Sequence, residues 1–306
     1  MSTADSSGAP DLLPLLRQGT AAQNAGDLAA AERFYRAALR LDPGDPQALC
    51  LLGMLAGLTG RLPVAAALLR RGLARDPDNA DLHHNLGETY RHLGDFAAAI
   101  ECFRQAAALR PQQVAAWRGA ADAALALAQQ AAAAGQKGRA QEFVRRAAGF
   151  LAEFASAATR IGRAAEAEAA WQEALKLLPR DAALRTDFAI WLRRRGRPSE
   201  SLAELQRALT FDARHADCHL ALGDALLDLD RGAEAVAAYR RGAALAPGTA
   251  EAAQGDIHIR SLGDIHITTL AGKGALDLTT DRAITFDNVK GNDIVLKSNG
   301  ALNVGN

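Results

Sequence analysis

The stretch NLGETYRHLGDFAAAIECFRQAAALRP, residues 85–111, consists of two helix-length runs separated at Gly94 and closed by Pro111. Glycine lets the chain leave one helix, and proline cannot continue another, so the stretch predicts a helix, a turn, a second helix and a stop. The same punctuation recurs at a spacing of 34 residues. Gly26, Gly60 and Gly94 keep that spacing, and so do LRLDPGDP at 39–46, LARDPDNA at 73–80 and AALRPQQV at 107–114.

Repeats counted from residues 12, 46, 80, 114, 148, 182 and 216 place Gly19, Gly53, Gly87, Ala121, Ala155, Ala189 and Gly223 at the eighth position. The twentieth position holds Ala31, Ala65, Ala99, Ala133, Ala167, Ser201 and Ala235. The twenty-seventh is again Ala or Gly in all seven repeats. Antiparallel helices can approach closely only where their crossing points carry small side chains. Large residues at the twenty-fourth position, Tyr35, Leu69, Phe103, Trp171, Leu205 and Tyr239, then fill the space that small neighbours leave. The fourth repeat departs from this pattern. It has Lys137 at the large position, Gly135 and Gly138 inside the expected second helix, and no closing proline. The expectation is a first helix lengthened to about residue 134, a turn at 135–138, and one long helix running on to Arg160.

This pattern resembles the tetratricopeptide repeat family of bacterial type, including the arrays that precede O-linked GlcNAc transferases. The resemblance implies a mainly α fold, a right-handed solenoid of about seven helical hairpins over residues 12–249, preceded by a disordered tail at 1–11. It further implies that first helices line a concave groove, which they face with the second, fifth, sixth, ninth, twelfth and thirteenth positions of each repeat. The candidate groove residues are Asp81, His84, Asn85, Glu88, Arg91 and His92 of repeat three, with Arg118 and Asp122 of repeat four. Asn85 stands where related arrays use asparagine to grip a peptide backbone, and an amide can donate and accept at once. His84, Glu88 and His92 lie four residues apart on one face, a spacing shared by any exposed polar stripe, and no metal or cofactor is expected. Arg160, Arg193 and Arg194 against Asp217, Asp224 and Asp228 suggest a groove of split charge.

After Pro247 the helical pattern gives way to short runs such as DIHI, ALDLTT, AITF and DIVLKS that alternate apolar and polar residues. Ile257, Ile265, Leu276, Ile284, Ile294 and Leu302 follow a period of about nineteen residues for each pair of strands. Residues 250–306 are thus expected to form a small all-β segment, either a short β-solenoid or a small sheet. The period resembles the coils of filamentous-haemagglutinin-type proteins, which implies a parallel β-helix. Such a segment would cap the last helical face and expose an edge for self-association.

The chain has 35 Lys and Arg against 35 Asp and Glu, so it lacks the basic surplus of a nucleic-acid binder. No run is long and apolar enough for a membrane span. Three widely spaced cysteines, Cys50, Cys102 and Cys218, suit reduced thiols and a cytoplasmic setting. No phosphate loop, nucleophile motif or paired catalytic carboxylates appear. The sequence therefore points to a non-catalytic scaffold that holds a protein or peptide in its groove. The alternatives are an assembly or adhesin-like module acting through the β segment, and the substrate-binding part of a glycosyltransferase-like system.

Overall fold

The computed structural model describes residues 11–245 and, beyond them, only the backbone of short strands between Ile257 and Val304. The tail expected at 1–11 lies almost wholly outside the described residues. The described residues contain thirteen α-helices. The first six are α1 (Leu13–Asn24), α2 (Leu28–Leu41), α3 (Pro46–Leu58), α4 (Leu62–Arg75), α5 (Ala80–Leu93) and α6 (Phe96–Leu109). The irregular region holds α7 (Val114–Ala133), α8 (Lys137–Arg160) and α9 (Ala164–Leu177). Then come α10 (Ala182–Arg194), α11 (Pro198–Phe211), α12 (Ala216–Leu227) and α13 (Gly232–Leu245). The chain divides into two compact units, one ending at Leu177 and one beginning at Leu178.

Local chemistry sets the helix ends. Asp27, Asp45, Asn79, Asp95 and Asp181 each accept a hydrogen bond from a backbone N–H of the helix they precede. Each such cap stabilises its helix by about 1 kcal/mol. Pro46, Pro63 and Pro198 occupy the first turn, where a missing N–H costs nothing. Within most hairpins the turn glycine is left-handed, as at Gly94 with φ +80°.

Packing follows the small-and-large pattern of the sequence. A Cβ added to Gly53, Gly87 or Gly223 would come within 2.8 Å of Leu69, 2.9 Å of Phe103 or 2.7 Å of Tyr239. Gly19 meets Tyr35 in the same way. Phe103 is fully buried, and its other side meets Gly119 of the following helix. Each large residue therefore fills a slot made by small ones, and in Phe103 it also joins one hairpin to the next.

The fourth and fifth repeats are not two separate hairpins. The second helix of the fourth and the first helix of the fifth are one continuous rod, the 24-residue α8, which packs against both α7 and α9. Arg145 stands where five of the other six repeats have the helix-stopping proline. The sixth, with Ala213 there, ends its helix before Asp212, whereas residues 136–160 contain neither Pro nor Asp to interrupt the chain. The turn is shorter than the sequence suggests, because Gly138 already lies inside α8.

Past the helices, the described strand backbones pair in parallel. The strands β1 (Ile257–Ser261), β4 (Ala275–Thr280) and β7 (Asp293–Ser298) form one ladder, in which Ile257 faces Leu276 and Leu276 faces Ile294. A second ladder joins β2 (Ile265–Ile267), β5 (Ile284–Phe286) and β8 (Leu302–Val304), and a third joins β3 (Leu270–Ala271) to β6 (Val289–Lys290).

Candidate partner-binding groove

First helices α3, α5 and α7 lie side by side in the N-terminal unit. Between α3 and α5, Met54, Gly57, Leu58 and Leu62 face Asn85, Glu88, Thr89 and His92 across a cavity of about 440 Å³. One wall is apolar and the other carries an amide, a carboxylate and an imidazole. Leu58 is 69% exposed and Met54 37% exposed, an unusual state for large apolar side chains beside a cavity.

Three of the eight expected groove residues, Asn85, Glu88 and His92, line this cavity. The half-buried Asn85 amide donates to the Cys50 sulfur at 3.2 Å, which ties α5 to α3. Glu88 accepts from Arg91 at 2.7 Å and lies 4.0 Å from His92. Of the other five candidates, Arg91 is held by Glu88, and Asp81, His84 and Arg118 are engaged elsewhere. Asp81 pairs with Arg110 at 2.8 Å. His84 packs its ring 5.5 Å from that of Phe103, and burial pushes its pKa below the usual imidazole value. Arg118 reaches Glu173 on α9 at 2.7 Å with its guanidinium 5.1 Å over Phe154, so it braces α7 against α8 and α9. Asp122 keeps solvent access, yet desolvation by its neighbours raises its carboxyl pKa against the opposing charges of Arg118 and Arg91.

His84 is therefore turned to the core side of α5 while Glu88 and His92 face the cavity, and the three do not converge. Among the described residues no group of three or more His, Cys, Asp or Glu is placed to hold a metal ion. Of the six charges expected to split the groove, three are paired with one another. Arg193 pairs with Asp224 at 3.0 Å and with Asp228 at 3.3 Å, so these charges satisfy each other within the C-terminal unit.

Met54 and Leu58 form the apolar half of the site, which a search for polar residues passes over. Both fall on groove positions of repeat two, and two large apolar residues on an otherwise solvent-facing stripe were the available signal.

Models of the tetratricopeptide repeat match residues 16–83, 80–113 and 186–250. The chain carries tetratricopeptide repeats. Among solved structures it is similar to a mutant O-GlcNAc transferase of Thermobaculum terrenum, at 31% identity over 51% of this chain and a TM-score of 0.41. The match spans only 27% of that transferase chain. A tetratricopeptide repeat protein of Parabacteroides merdae is 18% identical over 79% of this chain and 95% of its own, with a TM-score of 0.37. YrrB, described as having an unusual peptide-binding site, is 15% identical over 61% of this chain and 96% of its own, with a TM-score of 0.33. No curated protein matches the chain. Among the described residues no helix is long and apolar enough to cross a membrane.

Proposed function

We propose that this chain is a non-catalytic, cytoplasmic scaffold whose repeat array holds a peptide or protein segment, with the α3–α5 cavity as its anchoring point. The observation that carries this reading is the two-sided wall. Met54, Leu58 and Leu62 stand ready to cover an apolar side chain, opposite Asn85 and Glu88, which can meet the N–H and C=O groups beside it. Burying a side chain the size of leucine in such a slot contributes about 1.5–3 kcal/mol. That is enough to anchor a segment whose other contacts are polar.

Selection of displayed random peptides on the full chain, followed by titration of the recovered peptides, tests this. Leu58→Asp is expected to weaken the anchored peptides about tenfold or more, and Asn85→Ala to weaken them by a smaller factor. Because Leu58 is mostly exposed, the variant keeps its fold, which an unchanged melting midpoint would verify. Recovered peptides indifferent to both substitutions would refute the anchor.

A second reading concerns residues 250–306. We propose that they form a short parallel β-solenoid packed on α13, through which two copies of the chain associate. It is supported by register partners about nineteen residues apart and by the contact of α13 with β2. A monomeric mass for the full chain at high concentration would argue against self-association.

A further inference from the structure

We propose that the junction of α6, α7 and α8 is a second docking site, separate from the groove. It would take a partner segment in which an aromatic or aliphatic side chain is flanked by carboxylates. A cavity of about 420 Å³ lies there, lined by Arg104 of α6, Trp117 of α7, and Arg146, Gly149, Phe150 and Glu153 of α8. It shares no residue with the α3–α5 cavity.

The fused helix creates this surface. In a regular hairpin the second helix ends after about four turns, but α8 continues without a break. Arg139, Arg146 and Glu153 recur at seven-residue steps, and so do Phe143 and Phe150, which is two helical turns and hence one stripe. Gly149, where an added Cβ would meet open space, lines the cavity beside them. The rings of Trp117 and Phe150 lie 6.3 Å apart with their planes tilted by 32°, forming an apolar wall. The Trp117 indole N–H is shielded from solvent and has no acceptor.

Charge selects the occupant. Arg146 is exposed, stands 5.9 Å over the Phe143 ring, and has no ion-pair partner among the described residues. Lys137, Arg139 and Arg145 are exposed on the same helix, where Glu142 is the one acid between residues 137 and 146. Arg104 already has Glu101 at 3.0 Å. An apolar side chain between the rings would place flanking carboxylates within reach of Arg146 and its basic neighbours. A nucleic acid fits less well, since the chain as a whole lacks the basic surplus that a run of phosphates requires.

The test uses the full chain and displayed random peptides, selected on the wild type and titrated against Arg146→Glu and Leu58→Asp. Peptides of this site are expected to lose affinity about tenfold on Arg146→Glu and to keep it on Leu58→Asp. Their shared feature should be Asp or Glu beside an aromatic or aliphatic residue, with weaker binding at raised salt. Arg146 is exposed, so an unchanged melting midpoint separates loss of the site from loss of the fold. The proposal is overturned if no recovered peptide responds to Arg146→Glu, if the responsive ones are neutral or basic, or if a single-stranded oligonucleotide or a phosphatidylserine vesicle binds in preference. If every recovered peptide is lost on Leu58→Asp and none on Arg146→Glu, this site is overturned and the groove stands.

Discussion

The pair α5 and α6 and the pair α7 and α8 turn on the same device, a left-handed glycine, yet they are held together by different means. In the first, Phe103 is wedged against Gly87, an aromatic ring in a slot without side chains. In the second, the 34-residue count puts the exposed Lys137 at the large position, but nine residues after the turn glycine, where Phe103 stands in its own helix, comes the half-buried Val144. There α7 gives buried alanines, among them Ala116, Ala120, Ala123 and Ala124, to a core shared with α6 and with Ala147 of α8. The turn glycine has moved as well. Gly135 stands seven residues beyond the 34-residue spacing, which is two full helical turns and so returns the chain to the same face of α7. A repeat can thus exchange its aromatic wedge for a smaller Val144, lose its proline and still pack, provided its turn shifts by whole turns.

The wedge gives the largest expected contrast. Phe103 is fully buried and fills slots on both sides, at Gly87 and Gly119. Phe103→Ala is expected to cost about 3–5 kcal/mol, measured by urea denaturation of the full chain. Val144→Ala, at the position of the irregular repeat that matches Phe103 by distance from the turn glycine, is expected to cost clearly less, because a smaller and only half-buried side chain is removed. Equal losses from the two substitutions would mean that the alanine layer does not replace the wedge.

A finer contrast lies in the glycines. Gly94 has φ +80°, so Gly94→Ala forces a strained backbone and is expected to destabilise by about 1 kcal/mol. Gly149 lies within α8 with open space around the position of an added Cβ. Gly149→Ala is expected to stabilise by about 0.5–1 kcal/mol, because glycine inside a helix wastes conformational entropy. The two thermal midpoints should move in opposite directions, and a shared direction would contradict the assigned roles.

These contrasts also mark what the sequence could and could not disclose. Gly and Pro at 34-residue intervals, with small residues at fixed positions between them, specify helix ends and crossing points through local rules, so the regular hairpins were legible. The long α7 and α8 were legible too, from Gly135 and the missing proline. Partnerships between repeats were not. The bond of Asn85 to Cys50 and the brace of Arg118 on Glu173 join residues 35 and 55 positions apart, and no local pattern fixes which rotamer reaches across. Polarity drew attention to Asp81, which is spent on Arg110, and away from Leu58, which lines the cavity.

The smallest effect expected is a pH dependence set on the core-facing side of α5. His84 lies against Phe103, its Nδ1 without a partner, and desolvation lowers its pKa below 6.5 even though Glu88 and Asp81 pull the other way. Its folded-state pKa is therefore below its unfolded value, so between the two the unfolded chain binds the proton first. That contribution destabilises the fold as pH drops below about 6.5 and is complete once the folded-state pKa is passed. His84→Gln removes this titration, so the urea midpoint of the variant should fall less steeply than that of the wild type on acidification. A wild-type slope unchanged by His84→Gln would show that the ring against Phe103 is as well solvated folded as unfolded, contrary to its packing.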